Sequence, residues 1–301
     1  MHYALVVNPT SGKRRGVAVA AQAAERLGRA GHVTTRIQGE DAPSARDQLK
    51  QAIETGLDGV LVVGGDGALH GVLDHVADSD LAFGLIPAGT GNDTARSLGI
   101  PVKDTDAAVD LIVAGHVRTV DLARTDEAYV ATVIASGFDS KVNERANDMT
   151  WPRGNMRYNI AILAELRKFE PLEFTLTLDG TTIEREAMLV AVGNGPSFGG
   201  GIRICEGASM DDGLLDVVVI NPVSKAKLVR VFPKLYKGTH ITMPEFERHR
   251  VREVTLSSPG IVAYGDGERL GALPMTTRIQ PGALRVFAPL AAQPGDPSRR
   301  A

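Results

Sequence analysis

Two glycine-rich segments in the first hundred residues have the composition of loops that hold phosphate groups. Residues 64–67 read Gly-Gly-Asp-Gly between an apolar run and a helical one, and residues 84–93, which include Thr90, repeat that arrangement. Glycine lets backbone N–H groups approach an anion closely, and the start of a helix adds a partial positive charge. An aspartate beside phosphate requires a cation between the two, so Asp66 predicts Mg²⁺ bound to a nucleotide.

A third segment, residues 8–13, follows the first apolar run and adds hydroxyl groups and positive charge. It is not a P-loop, because Val7 stands where that motif needs its first glycine and Arg14 stands where it needs Ser or Thr. Backbone N–H groups in a strand-to-loop turn, together with Lys13 and Arg15, still suit phosphate. From the residues alone, ligand contact and an ordinary loop are equally supported.

Each segment also has a purely structural interpretation. Asp66 fits a helix cap in a tight turn, Asn92 or Asp93 fits the cap of the following helix, and His70 fits a polar position on a helix. A ligand site is favoured because the three segments follow three different predicted strands. The carboxyl ends of parallel strands meet at one sheet edge, so these loops can converge on one crevice.

The elements that carry these segments alternate between strands and helices. The strands are apolar on both faces, which predicts a parallel sheet covered by helices on each side, a doubly wound α/β domain. The predicted strands are residues 3–7, 32–37, 59–63 and 81–86, and the predicted helices are residues 17–30, 44–55, 68–77, 93–98 and 104–114.

The pattern changes near Thr119, where strand-like runs begin to dominate, among them residues 128–134, 173–178, 187–192 and 214–220. Turn signals at Asp179-Gly180 and Pro281-Gly282 favour an antiparallel second domain. We place the boundary near Val120. This predicts a nucleotide-binding domain at residues 1–122, an antiparallel domain at residues 123–290 and a disordered tail at residues 291–301.

The composition narrows the function classes. The chain has 301 residues, 43% of them hydrophobic, and a net charge of −3, which gives no electrostatic reason to expect nucleic acid. Its single cysteine, Cys205, cannot form an internal disulfide and fits a small buried residue. No run approaches the roughly 20 apolar residues that span a bilayer. We therefore expect a cytoplasmic enzyme whose membrane contact is peripheral.

The three segments, in this order and spacing, resemble the catalytic domain shared by diacylglycerol kinases, sphingosine kinases and bacterial lipid kinases, within the superfamily that includes NAD kinase. The resemblance runs through the whole chain. The further matching motifs are Val120-Asp121-Leu122, Gly137-Phe138-Asp139, Val192-Gly193-Asn194-Gly195, Gly199-Gly200-Gly201, Asp211-Asp212-Gly213-Leu214-Leu215-Asp216 and Asp266-Gly267-Glu268.

This resemblance implies that ATP is held between an N-terminal nucleotide domain and a C-terminal β-sandwich. It also implies a structural Mg²⁺ near the DDG turn, with the backbone carbonyls of Ser209 and Leu214 and the carboxylate of Asp212 as ligands. Without the resemblance, that segment reads as a turn. The implied nucleotide contacts are Asn8, Pro9, Thr10, Ser11, Gly12, Thr35, Gly64, Gly65, Asp66, Gly67, Ala68, Leu69, His70 and Thr90.

The resemblance places the general base of the reaction in the late DGE motif. A carboxylate there takes the proton of the acceptor hydroxyl, and we assign Glu268, with Asp266 as its orienter or as the alternative base. Both residues also fit a solvated hairpin turn. Two positions depart from the family pattern, since Ala68 replaces the usual threonine and His70 the usual asparagine. Residues 150–158 match nothing that we can assign.

A basic helix predicted within residues 224–237 offers a way to meet a membrane. It carries Lys225, Lys227, Arg230, Lys234 and Lys237 without an acidic residue, beside an apolar stripe. Such a helix fits transient contact with an anionic surface, or a solvated face whose apolar side packs on the sandwich. A second helix is predicted at residues 157–169. Its apolar part from residue 158 and the glycine run at residues 199–201 fit an acyl-chain pocket, and the helix also fits plain core.

The predicted function is an ATP- and Mg²⁺-dependent lipid kinase that phosphorylates the hydroxyl of diacylglycerol to give phosphatidic acid. Alternatives are a sphingoid or other lipid kinase, an NAD kinase-like enzyme, and a catalytically silent nucleotide-binding or lipid-sensing protein. The GTGND and DDGLLD motifs favour the lipid branch, and Ala68 is the sole support for silence. Many relatives are dimers, so a homodimer is compatible with the resemblance.

Overall fold

The computed structural model describes residues 1–8, 11, 15–39, 41–138, 140–142, 145, 149 and 170–290. It divides into two compact units. The first is Met1–Val120 together with the chain from Ala283 onward, and the second is Asp121–Gly282. The predicted helix within residues 157–169, the segment 150–158 and the tail 291–301 lie outside the described residues.

The first unit is built on a parallel sheet. Its strands run in the order β2, β1, β3, β4, and β3 and β4 are buried at every residue because both of their faces are covered. Their bounds are β1 His2–Val7, β2 Val33–Ile37, β3 Gly59–Gly64 and β4 Ala82–Pro87.

Five described helices accompany this sheet in two layers. Helix α1 contacts α5, whereas α2 contacts α3. Side chains of α1 and α5, such as Leu27 and Ile112, pack with Leu5 and Leu61 of the sheet in one core. This confirms the doubly wound α/β prediction. The bounds are α1 Gly16–Arg29, α2 Ala42–Glu54, α3 Asp66–Val76, α4 Asp93–Leu98 and α5 Thr105–Ala114.

The chain returns to the first unit at its end. Residues 283–290, which were predicted to belong to the second domain, are part of the first compact unit. The last long strand, β16 (Met275–Phe287), pairs through Val286 in parallel with Phe83 of β4. The Phe287 ring meets the Tyr3 ring edge to face, with centroids 6.0 Å apart. Burial of these aromatic rings explains why residues from Ala283 onward belong to the first compact unit.

The second unit is antiparallel. One sheet runs β12, β11, β10, β7, β14, β15, and a second group runs from the first residues of β16 through β13 and β8 to β9. Short strand β6 pairs with β5. The bounds are β5 Val117–Thr125, β6 Tyr129–Val130, β7 Val133–Gly137, β8 Leu172–Leu178, β9 Thr181–Ala187, β10 Leu189–Gly193, β11 Leu215–Ile220, β12 Phe246–Val251, β13 Glu253–Ser257, β14 Val262–Gly265 and β15 Glu268–Ala272.

Alternate residues of both sheets form a shared core, which confirms the predicted C-terminal β-sandwich. Phe174 and Leu256 from one sheet join Val190 and Val217 from the other. Cys205 is fully buried in a second cluster, and burial raises the pKa of its thiol, as expected of an inert residue. Helix α6 (Lys225–Lys237) and a 3-10 turn (Thr239–Thr242) follow β11. No described helix has the length and apolarity that a bilayer crossing requires.

Candidate active site

The two glycine segments of the first unit leave neighbouring strands at the same sheet edge. Gly64 of β3 lies opposite Pro87 of β4, and the Ala88 N–H donates to the Gly64 carbonyl over 2.8 Å. The backbones then stay in contact, because a Cβ added to Gly89 would lie only 2.6 Å from the Gly65 Cα. Glycine at both positions is therefore required by close approach of the two loops.

Asp66 joins the two segments. Its Oδ2 accepts a hydrogen bond from the Asp93 N–H at 3.2 Å, and its Oδ1 accepts from the N–H and the hydroxyl of Thr94, each at 3.1 Å. Asp66 thus caps α4 from outside, whereas the side chain of the N-cap residue Asn92 makes no cap hydrogen bond. An ionised carboxylate has about four acceptor sites, so this half-buried group retains room for a metal-bound partner.

The second loop is locked by its own side chains. Asn92 takes a left-handed backbone conformation (φ 55°), and its amide exchanges hydrogen bonds of 3.0 and 3.1 Å with the backbone of Gly89. Arg96 donates to the Gly91 carbonyl and lies 3.6 Å from the Asp93 carboxylate. Thr90, at the tip of this rigid loop, is exposed. Such a loop changes little when it receives a ligand.

The predicted contacts in the first segment are described only in part. The Asn8 N–H donates to the Val63 carbonyl at 3.2 Å, and the Ser11 N–H donates to the Asn8 carbonyl at 3.2 Å. A Cβ on Gly64 would lie 3.4 Å from the Ser11 hydroxyl, so this segment reaches the glycine loop. Pro9, Thr10 and Gly12 lie outside the described residues.

Thr35 does not lie with the glycine loops. It sits two residues before the end of β2, and its hydroxyl is 2.7 Å from the His2 ring nitrogen Nε2. Leu69 is fully buried in the core, so it can offer a ligand only its backbone. His70 is partly buried, and its Nδ1 has no hydrogen-bond partner among the described residues.

In the second unit, Asp266 is held as an anchor. This residue is 6% exposed, and it accepts from the Ala131 N–H at 2.6 Å, the Thr132 N–H at 2.9 Å and the Thr132 hydroxyl at 2.5 Å. These donors interrupt the strand predicted at residues 128–134, which is in fact two strands with Ala131 and Thr132 between them. Three donors already bind this carboxylate, so its contacts hold the hairpin in place.

Glu268 differs from Asp266 although only one residue separates them. It begins β15, it is exposed, and it has no hydrogen-bonding or ionic partner in the part of the chain that the structure describes. The tight turn before it is fixed by Asp266, whose φ is 51°. The geometry therefore favours Glu268 as the available carboxylate and Asp266 as the residue that positions it.

A buried polar network that sequence reasoning left without roles extends from this hairpin. The Asn194 amide donates to the carbonyls of Ala131 and Asp121, both at 2.8 Å. The Asp121 carboxylate accepts the N–H groups of Gly213 and Gly282, also at 2.8 Å. Asp121 is 5% exposed and Asn194 fully buried. Polar residues directly after apolar strands, in motifs quoted above, were the signal for this network.

The turn expected to hold a structural Mg²⁺ is shaped differently. The Asp212 carboxylate accepts the Leu214 N–H through Oδ1 at 3.1 Å and pairs with Arg250 through Oδ2. Among the described residues, no three acidic, histidine or cysteine side chains converge where a metal could bind. The oxygen donors are of the right class, but the single carboxylate is already paired with the positively charged Arg250, which would repel a second cation, so the residues as they stand do not fit a divalent ion.

Two family models match the chain in succession. Residues 2–125 match the diacylglycerol kinase catalytic domain, and residues 132–288 match the YegS C-terminal NAD kinase beta sandwich-like domain. The diacylglycerol kinase of Mycobacterium tuberculosis is 44% identical over 290 residues, with 94% of each chain covered.

Solved structures share the fold. A diacylglycerol kinase from Bacillus anthracis has a TM-score of 0.75 at 23% identity, covering 96% of this chain and 98% of that one. An NAD kinase from Archaeoglobus fulgidus in complex with ATP has a TM-score of 0.54 at 12% identity, covering 95% and 93%. These identities show the fold alone. The family models and the mycobacterial relative confirm the predicted family, and the chain belongs to the diacylglycerol kinases, enzymes that transfer phosphate to an alcohol group.

Proposed function

We propose that this kinase uses ATP to phosphorylate a lipid alcohol, diacylglycerol first among them, and gives phosphatidic acid. The observation that carries the proposal is that Asp66 and Asp266 are both held by backbone hydrogen bonds, whereas Glu268 is exposed and has no partner among the described residues. Asp66 braces two glycine loops into an anion-binding cradle, while Asp266 holds a hairpin that leaves Glu268 without a partner. A phosphotransferase needs both a preorganised phosphate site and an available base.

The glycine loops bind the phosphates through backbone N–H groups. The first two N–H groups of α3, those of Asp66 and Gly67, have no intrahelical partner, whereas the Ala68 N–H donates to the Gly65 carbonyl at 3.1 Å. The absence of side chains at Gly65 and Gly67 leaves the first two accessible. Mg²⁺ brought in with ATP, as part of the substrate, would neutralise charge on the transferred phosphoryl group. Asp66 is the residue of the cradle that would hold this ion. Its hydrogen bonds to Asp93 and Thr94 keep it oriented for that task.

Glu268 takes the proton in our proposal. As the lipid hydroxyl oxygen forms its bond to the γ-phosphorus, the proton moves to the Glu268 carboxylate, and the bond to the β-phosphate oxygen breaks with its electron pair leaving on ADP. This carboxylate is exposed and has no competing partner among the described residues, so it is accessible to the acceptor. Asp266 positions Glu268, because it fixes the turn that precedes that residue.

The test is transfer of labelled γ-phosphate from ATP, with Mg²⁺, to diacylglycerol, sphingosine, ceramide, an isoprenoid alcohol and NAD in mixed micelles. Labelled phosphatidic acid, lost in Asp66→Asn and retained in the exposed same-helix control Asp74→Asn, supports the proposal. Preferred transfer to another lipid corrects the acceptor. Preferred transfer to NAD contradicts the lipid assignment, and no transfer to anything favours the silent nucleotide binder.

We also propose that α6 docks the enzyme on anionic membrane. The apolar side of this helix packs inward, since Val231 is 9% exposed and Leu235 lies against the core. Lys227 is committed to an ion pair with Glu245. An outward basic face remains beside two exposed apolar side chains. Its members are Arg230, Lys234 and Lys237, with Tyr236 and Ile241 next to them.

Vesicle sedimentation tests this docking. The variant R230E/K234E/K237E is expected to lose binding to vesicles that contain anionic lipid, because each basic residue near such a surface contributes about 1 kcal/mol. The charge-matched control R46E/K50E/K103E changes exposed residues of the other unit and should bind as the wild type does. Equal binding by the α6 variant would remove this surface from the proposal.

A further inference from the structure

The DDG turn is held by two different sets of bonds. On its inner side, the buried Asp121 carboxylate binds the Gly213 N–H. On its outer side, the Asp212 carboxylate accepts a hydrogen bond from the Leu214 N–H through one oxygen and pairs with Arg250 through the other. The Asp212 side chain is 28% exposed, so it is partly shielded from water. The turn is therefore closed by protein groups alone.

Arg250 is placed by strand register. It lies on β12 directly opposite Asp216 of β11, and its Nε is 3.7 Å from the Asp216 carboxylate. Asp216 is almost fully buried and also pairs with Arg248. Two guanidinium groups thus face two carboxylates, and this cluster is electrically balanced.

A third carboxylate nearby adds one negative charge but does not join the other two at a common point. Asp211 accepts the Ser209 hydroxyl at 2.5 Å, and the three aspartates do not converge on one point. A divalent cation bound at Asp212 would have to displace Arg250 or share one carboxylate with it. Either arrangement leaves excess positive charge next to Arg248, which is unfavourable at short range. Arginine, in contrast, matches carboxylate geometry and stays charged at all working pH values.

We propose that Arg250 takes the place of the structural metal ion implied at the DDG turn, so that this chain needs no resident divalent cation there. The guanidinium supplies the positive charge that closes the turn on β12. The divalent cation requirement of the protein then lies with the nucleotide.

The test measures metal binding by the full chain without nucleotide, with Mn²⁺ as a paramagnetic probe. Wild-type protein is expected to bind no Mn²⁺ that depends on Asp212, and its Tm is expected to be the same in EDTA and in excess Mg²⁺. A resident site at about 100 times its dissociation constant would raise the Tm by roughly 5 °C or more. Nucleotide-free conditions separate this question from kinase activity.

Arg250→Gln supplies the second arm. Removing the guanidinium frees one oxygen of Asp212, so Mn²⁺ binding and Mg²⁺-dependent stabilisation should appear, and should vanish again in Arg250→Gln/Asp212→Asn. Arg252→Gln is the matched control. Arg252 and Asp212 line one cavity of about 450 Å³, but they form no ion pair with each other. The proposal is overturned if wild-type protein binds Mn²⁺ and Asp212→Asn abolishes it, or if a folded Arg250→Gln gains no metal response.

Discussion

The two units each contain one aspartate that grips the backbone in the same way. Asp66 binds two successive N–H groups, of Asp93 and Thr94, and the hydroxyl of the second residue. Asp266 does the same with Ala131 and Thr132. The bonds of Asp66 measure 3.1–3.2 Å at a half-buried site, whereas those of Asp266 measure 2.5–2.9 Å at a buried one. One arrangement therefore serves a site that keeps room for a ligand, and the other an anchor.

The largest expected effect lies just beyond the anchor. Glu268→Gln should lower kcat by about 10²–10⁴-fold, because general-base catalysis is lost. Its Tm should stay unchanged, since Glu268 has no partner among the described residues. Kinase assays and thermal unfolding measure the two quantities, with the exposed Glu184→Gln as control. Full activity in Glu268→Gln would reverse the roles given to Glu268 and Asp266.

Exchanging each aspartate for asparagine breaks the comparison itself. Asp66→Asn should lower activity by about 10²-fold or more, with a stability loss of about 1 kcal/mol from the weakened cap. Asp266→Asn should cost about 3 kcal/mol of unfolding free energy, because buried donors lose a charged acceptor. Urea unfolding and steady-state kinetics separate the two. Equal stability losses would mean that the difference in burial has no energetic consequence.

The two threonines sharpen the comparison at smaller scale. Thr132→Val removes a buried hydroxyl bound to a charged group and should cost about 2 kcal/mol, while Thr94→Val should cost about 1 kcal/mol at the longer bond. Both replacements keep the side-chain volume close to that of threonine. Urea unfolding of both variants gives the ratio, and a larger loss in Thr94→Val would contradict it.

The smallest expected effect is a change with pH in the stability difference between the wild-type protein and Glu247→Gln. Arg185 holds Glu247 of the second unit through hydrogen bonds of 2.8 and 2.9 Å and lowers the pKa of that carboxyl from 4.5 to about 2. The unfolded chain takes up this proton first as pH falls, so the stabilisation is present above pH 4.5 and is lost between that pH and about 2. The stability gap between wild type and Glu247→Gln, about 2 kcal/mol at neutral pH, should close over that range.

Much of the α/β unit is predictable because its signals are local. Apolar strands such as β3 and β4 and the glycine segments after them give the fold class and the place where the loops meet. The cap of α4 was not predictable, since Asp66 supplies it from a position 27 residues earlier in the chain. Sequence periodicity carries no record of such a long-range hydrogen bond.

The sandwich shows the same limit. Alternation in β8 predicts its buried face, yet the break at Ala131 and Thr132 depends on Asp266, which comes more than 130 residues later. Arg250 likewise reads as one basic residue in a strand until its register places it beside Asp212 and Asp216. Residues that depend on distant partners were therefore the ones that the motifs misassigned or left without a role.

The return of β16 to the first unit has a consequence for biosynthesis. Leu284, Val286 and Phe287 are buried among residues that the ribosome makes first, including Tyr3 and Phe83. During synthesis, the first unit must wait for the entire sandwich to be translated before its last strand arrives. Until then its sheet presents an unpaired β4 edge and uncovered aromatic rings, which are features that attract chaperones and other chains. Expression of residues 1–122 alone is expected to yield aggregating protein, even though both glycine loops of the first unit are present in that fragment.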